Sequence, residues 1–196
     1  MTGNPKRKLT AAEYLAIEEA AEFKSEFVNG EMFAMAGASG FHNDVKENLI
    51  GEMYSQLKGG PCRSRSSDQR VNISATGMYA YPDIVIVCGK VETDPLSPTT
   101  ITNPLVVIEV LSPSTEGYDR NLKFRQYQQS PTLREYVLVS QHAPTIEVFS
   151  RQPNNKWLIT YFDGLDAVFA LESVPVKIPL ADVYRNVEFP LPGGDR

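Results

Sequence analysis

Two carboxylates stand among apolar neighbours. In "NPLVVIEVLSPST", residues 103–115, Glu109 follows Val106, Val107 and Ile108 and precedes Val110 and Leu111. Left unpaired in such surroundings, a carboxylate costs several kcal/mol, on the order of 3–5. In "YPDIVIVCGK", Asp83 follows Pro82 and heads a second apolar run. Proline cannot donate to a ladder, so it marks the edge or first residue of a strand. Asp83 therefore sits at a strand end, and Glu109 late in its own strand. If the strands are neighbours, the two acids converge. Two convergent carboxylates without a cation repel, and one takes up a proton. A divalent cation removes that penalty, and an all-oxygen ligand set favours magnesium or manganese. Read singly, Asp83 is a turn residue and Glu109 the partner of a buried arginine. Read together they are a metal site, because a perturbed carboxylate pair marks function.

The segment "YDRNLKFRQYQQ" supplies a cation. Asp119, Lys123 and Tyr127 recur at i, i+4 and i+8, so a helix carries them on one face. Directly after the Glu109 strand, that helix can lay this face over the acids. A lysine beside a metal-bound phosphate neutralises developing charge and helps position or deprotonate water. Without that context it is an ordinary surface ion pair. His42 opens another predicted helix; it either touches the site or is a satisfied helix-start histidine, with the second reading slightly favoured. Glu31 follows an Asn-Gly turn and is either a supporting carboxylate or a solvated hairpin charge. In "RSRSSDQR", Arg63 and Arg65 alternate onto one strand face, and Arg70 follows. They form a phosphate-contacting strip or, equally, a charged edge strand. The hydroxyls of Ser112, Ser114 and Thr115 read as a turn capping the next helix.

The elements that must position these groups are legible in outline. "LTAAEYLAIEEA" is a first helix, with Thr10 and Glu13 at capping-box spacing. Asn29-Gly30 between two short β-like runs signals a hairpin. From about Phe41 to Leu57 the apolar positions Val45, Leu49, Met53 and Leu57 recur every four residues, a helical stripe. "CRSRSS" and "QRVNIS" read as short polar strands and "ATGMYAYP" as a turn. "DIVIVCG" and "LVVIEVLS" are apolar on both faces, as for central strands covered on both sides. Between them, "KVETDPLSPTTITNP" reads as a surface loop. A helix over about Asp119 to Gln129 precedes "EYVLVS" and "TIEVFSR", an edge-like hairpin that "WLITYF" and "AVFALE" extend. "PLADVYRN" is a brief last helix. The fold class is a mixed α/β or α+β domain around a central sheet.

Bulk properties narrow the function classes. The 196 residues read as one domain, 1–196, and the 42% hydrophobic content supplies a core. A formal net charge of −5 argues against coating nucleic acid or an anionic membrane by charge alone. Cys62 and Cys88 read as reduced thiols of a cytosolic protein. "MTGNPKRKLT" has no apolar region behind its basic residues, so no signal peptide is expected. No run approaches the roughly 20 apolar residues of a membrane span.

The combined pattern resembles the PD-(D/E)xK restriction-endonuclease-like superfamily. "FVNGEMFAMAGAS" with a following "FH", then "YPDIVIV", "VIEVLSPST" and D-x3-K-x3-Y resemble its Uma-two family of restriction-endonuclease-like proteins, from about Glu26 to Arg151. The resemblance implies a mixed sheet flanked by helices, with magnesium or manganese held by Asp83, Glu109 and the backbone carbonyl of Val110. It implies phosphodiester hydrolysis in DNA, with Lys123 as third catalytic residue and Asp119 and Tyr127 supporting it. A homodimer is implied by analogy. One position departs: Leu111 stands where the superfamily carries a lysine, and Lys123 on the next helix takes that place. The rival reading is an idle nuclease fold that binds DNA or a protein. A two-carboxylate glycosidase would need an aromatic-rich cleft, and the single Trp157 lies far along the chain from both acids.

Overall fold

The computed structural model describes residues 7–35 and 37–189. Helix α1, Ala11–Ala20, starts with the expected capping box: Thr10 Oγ1 accepts from the Glu13 amide, and Glu13 accepts from the Thr10 amide. Strands β1, Ser25–Val28, and β2, Glu31–Ala34, form the expected hairpin. Its turn holds Asn29 at φ 53° and Gly30 at φ 85°, the left-handed pair of a two-residue hairpin loop. Helix α2 is Gly40–Leu57, capped by Ser39, and buries the predicted Val45, Leu49, Met53 and Leu57.

Strands β3, Cys62–Ser66, β4, Val71–Ile73, β5, Met78–Ala80, and β6, Ile84–Cys88, follow. Then come β7, Thr93–Asp94, β8, Ser97–Ile101, and β9, Val106–Val110. A third helix spans residues 116–127 and is interrupted by a π-helical stretch, Asp119–Lys123. It begins before the expected start at Asp119. The Ser112 and Thr115 hydroxyls bond each other rather than capping it. Strands β10, Glu135–Val139, β11, Thr145–Arg151, and β12, Trp157–Asp163, precede β13, Val168–Ala170, β14, Lys177–Pro179, and a last helical turn, Leu180–Val183.

The strands form two six-stranded sheets and a small ribbon. The first sheet runs β2-β1-β5-β4-β8-β7, the second β12-β11-β10-β9-β6-β3, and β13 pairs only with β14. Five expectations are corrected. "ATGMYAYP" contributes β5 as well as a turn, and the Pro- and Thr-rich loop contains β7 and β8. "AVFALE" leaves the second sheet for the ribbon. The β10–β11 hairpin is not an edge, because β10 also pairs in parallel with β9 and β12 covers the other side. Cys62 and Cys88 are joined by a disulfide rather than reduced. The antiparallel register of β3 and β6 sets them directly opposite, which a separation of 26 residues conceals.

The second sheet is covered on both faces, as its two apolar runs required. Ile84, Ile86, Val106, Ile108 and Val110 pack with the α2 stripe. The alternate residues Val85, Val87, Val107 and Leu111 pack with Phe124 and Tyr127 of the third helix and with strands of the first sheet. Strand alternation thus assigns odd-numbered positions of β6 and β9 to the third-helix side.

Two glycines test this account in opposite directions. A Cβ at Gly30 would meet the Lys8 Cβ at 2.7 Å and adopt a positive φ. Gly30→Ala is expected to lower unfolding free energy by about 1–2 kcal/mol in urea melts. A Cβ at Gly51, inside α2, meets nothing within 4 Å. Gly51→Ala is expected to raise it by about 0.5–1 kcal/mol.

Candidate active site

The antiparallel register of β6 and β9 pairs Ile84 with Ile108, and one further step sets Asp83 opposite Glu109. Both positions are odd-numbered, so both acids point to the third-helix side. Convergence of the two acids follows from register and alternation alone.

The third helix brings Lys123 down onto Glu109. Lys123 Nζ lies 2.9 Å from Glu109 Oε1, 2.9 Å from Glu26 Oε1 and 3.5 Å from Asp119 Oδ1. All four side chains are buried. The wide π turn carries both Asp119 and Lys123; such bulges recur at functional sites. The Tyr136 hydroxyl donates to the Asp119 carbonyl at 3.0 Å and anchors that turn. Tyr127 packs beneath with its ring against Tyr136, and its buried hydroxyl has no hydrogen-bond partner. Asp119 and the two glutamates, rather than Tyr127, are therefore the groups that fix the ammonium.

Asp83 is oriented from two sides. His42 Nε2 lies 2.8 Å from Oδ1, and the Val110 amide donates to Oδ2 at 2.8 Å. A carboxylate only accepts, so Nε2 carries the proton. His42 thus touches the acid pair, against the slightly favoured helix-start reading. The Ser39 cap accepts from the His42 amide and sets its position.

Glu26 is the residue that sequence reading passed over. Its strand β1 is buried throughout, and Glu26 accepts from the Tyr81 amide at 3.4 Å besides meeting Lys123. Helix α1 holds that strand: Tyr14 donates to the Ser25 carbonyl at 2.7 Å, and Glu18 accepts from the Ser25 amide and the Tyr81 hydroxyl. The available signal was the one that exposed Glu109, a carboxylate beside buried apolar residues, here Phe27 and Val28. Glu31, across the turn, is exposed and lies away from the cluster, so the supporting glutamate is Glu26 instead.

Charge balance in the cluster is uneven. Burial raises the Glu109 carboxyl well above its usual 4.5; Lys123 opposes this, while Asp119, Asp83 and Glu26 add to it. Asp119 is raised by burial in the same way. Burial works against the Lys123 ammonium, but Glu109, Glu26 and Asp119 together outweigh it and hold its pKa well above 10.5. Three carboxylates thus surround one ammonium, and Asp83 adds further negative charge beside Glu109. Glu109 Oε1, although close to Nζ, lies out of hydrogen-bonding line and is left without a hydrogen bond.

The donor set suits a hard cation. Asp83, Glu109 and Val110 line a single open cavity of about 940 Å³. No group of three or more His, Cys, Asp or Glu side chains with metal-holding geometry occurs among the described residues. An ion held here would rest on two carboxylates and backbone and would keep water in its shell, as suits magnesium. Leu111, where the resemblance places a lysine, is buried in the core, and the ammonium beside Glu109 is that of Lys123.

The arginines do not join the site. Arg63 and Arg65 lie on β3 outside this cavity, Arg65 donating to Gln69 at 2.6 Å. Arg70 does not form part of a surface strip. It is buried and donates to Thr100, Tyr81 and Ser97, so its guanidinium is occupied by the interior.

A sequence model of the Uma2 family, described as "Putative restriction endonuclease", matches residues 11–181. The chain is 36% identical over 185 residues to uncharacterized protein slr1290 of Synechocystis sp., covering 94% of this chain and 96% of that one. It is 37% identical over 159 residues to uncharacterized protein sll1609 of the same organism, covering 81% and 90%. Among solved structures, a "putative nuclease belonging to DUF820" from Anabaena variabilis superposes with a TM-score of 0.74 at 18% identity. That match covers 90% of this chain and 97% of the other, and shows a shared fold. No helix among the described residues is long and apolar enough to cross a membrane.

The uneven charge predicts a measurable pH dependence. A carboxyl raised in the fold contributes fully below its unfolded value, near 4.5, and loses that contribution as pH rises through the raised value. Glu109→Gln is therefore expected to raise Tm at pH 8 by about 2–4 °C, equivalent to about 1 kcal/mol. The gain should vanish near pH 4. Lys123→Met leaves buried acids without their cation and is expected to cost about 3–5 kcal/mol at pH 8. Thermal melts of both variants across pH check this.

Proposed function

The chain belongs to the Uma2 family, and from that premise we propose that it is a metal-dependent nuclease hydrolysing phosphodiester bonds in DNA. The observation that carries this reading is the meeting of Asp83, Glu109 and Lys123 at one open cavity, with carboxylate in excess. Asp83, Glu109 and the Val110 main chain would hold magnesium or manganese. When bound, the ion supplies a Lewis acid and lowers the pKa of a coordinated water.

The protein's own residues do the rest. His42 and the Val110 amide fix the Asp83 carboxylate, so that it is preorganised. Lys123 keeps its proton, because three acids surround it. It therefore acts as a fixed positive charge that stabilises charge developing on a phosphate oxygen, and not as a base. Glu26 and Asp119 hold that charge in place. Burial of Lys123, Glu109 and Asp119 makes each of these interactions stronger than it is in water.

A second reading has one observation in its favour. Lys123 is already paired with three carboxylates, which suits an idle nuclease fold that binds DNA or a protein without cutting. Metal affinity separates the two, since an idle protein has no need of an ion at Asp83 and Glu109.

The deciding experiment incubates the protein with plasmid and single-stranded DNA in magnesium, manganese or EDTA. Cleavage is expected with either ion and is expected to fall to background in EDTA and in Asp83→Ala. Folded protein that cuts neither substrate with either ion overturns the nuclease reading.

A further inference from the structure

We propose that the cavity over the cluster takes unpaired nucleotides, with bases stacked on Phe23 and Phe33, so that the substrate is a single strand rather than an intact duplex. The inference rests on the nuclease reading for its chemistry, but its evidence is the cavity wall.

Phe23 is 77% exposed and Phe33 is 48% exposed, and both line the cavity that holds Asp83, Glu109 and Lys123. Two large aromatic faces kept in water at the mouth of a site call for an occupant. Their placement ties them to the cluster. Phe33 is the cross-strand partner of Glu26 in the β1–β2 hairpin, so it projects from the same face as the acid that meets Lys123. Phe23 precedes Ser25, the residue that Tyr14 and Glu18 clamp to α1. Phe33 therefore sits on the hairpin anchored to the buried ions, and Phe23 in the bend that leads into it.

Charge argues against a duplex. A duplex-binding surface neutralises several phosphates with Lys and Arg. Besides Lys123, the cations lining this cavity are Lys24 and Lys46, and no arginine lines it among the described residues. Lys24 is already paired with Asp68 and lies 5.5 Å from the centre of the Tyr81 ring. Arg63 and Arg65 lie elsewhere, and Arg70 is buried. A site poor in free cations and rich in open rings must draw its affinity from bases. Base–aromatic stacking is tolerant of sequence and available only where bases are unpaired. One strand also needs one cut, so the pairing of two copies expected by analogy is not required.

Fluorescence anisotropy in EDTA at low salt tests the idea without any cleavage. Three labelled probes are compared: a 15-nucleotide oligo-dT, a duplex of equal length, and an abasic strand of equal length. The oligo-dT should bind at least 10-fold tighter than the other two. Phe23→Ala and Phe33→Ala should each weaken oligo-dT binding by about 5- to 150-fold, the equivalent of about 1–3 kcal/mol per stacked base. Phe23→Trp and Phe33→Trp, which keep a stacking face, should retain it, and abasic binding should not respond to any of the four. Equal or tighter duplex binding, no response to the alanine variants, or no binding of oligo-dT overturns the proposal. Because no metal is present, stacking without cleavage in the earlier assay would uphold this inference and sink the nuclease reading. Cutting of plasmid with no effect of either phenylalanine would do the reverse.

Discussion

The ammonium of Lys123 is buried, and everything around it is arranged to make that tolerable. A lone charge removed from water costs several kcal/mol even after relaxation. Three carboxylates offset that cost, and they come from three separate parts of the fold. Glu26 arrives on β1 of the first sheet, Glu109 on β9 of the second, and Asp119 from the helix that carries Lys123 itself. One ion cluster thus pins two sheets and a helix at a common point. The π turn in the third helix belongs to the same requirement, since it carries both Asp119 and Lys123.

A second polar layer keeps the first in register. Glu18 on α1 takes the Ser25 amide and the Tyr81 hydroxyl, and Tyr81 also accepts from the buried Arg70. Arg70 in turn reaches Thr100 and Ser97 on β8. The first sheet is therefore tied across its width by side chains as well as by its ladder. Its free edge, the β1–β2 hairpin, can then hold Glu26 against a lysine delivered from elsewhere. Fully satisfied networks of this kind rigidify what they surround, and the acids of the site gain their fixed geometry from it.

The cluster holds more negative charge than its own cation can neutralise, and that excess faces an open cavity. Burial first, and this excess after it, raises the Glu109 and Asp119 carboxyls, which is a cost to stability. In the proposed function, the same excess is what would draw a hard divalent ion. Strain tolerated at a functional site and offset by the surrounding core is the general pattern. Here the offset comes from apolar packing on both faces of the second sheet and from aromatic contacts around Tyr136.

Local pattern alone determined a good part of this protein. Two apolar runs, each with a misplaced acid, marked the central strands and the converging acid pair. Alternation sent Asp83 and Glu109 to one side once their strands were neighbours, and helical spacing put Asp119, Lys123 and Tyr127 on one face. The Asn-Gly turn, the Thr10 capping box and the α2 stripe were equally local and equally readable. Only tertiary structure decided which distant groups complete each pairing. Glu26 and not Glu31 meets Lys123, His42 reaches Asp83, Arg70 turns inward, and Cys62 faces Cys88. The short strands β5, β7 and β8 lacked the length for a period to show. The physical reason is common to all of these. Periodicity reports the face a side chain takes on its own element, whereas its partner depends on how sheets and helices close over tens of residues.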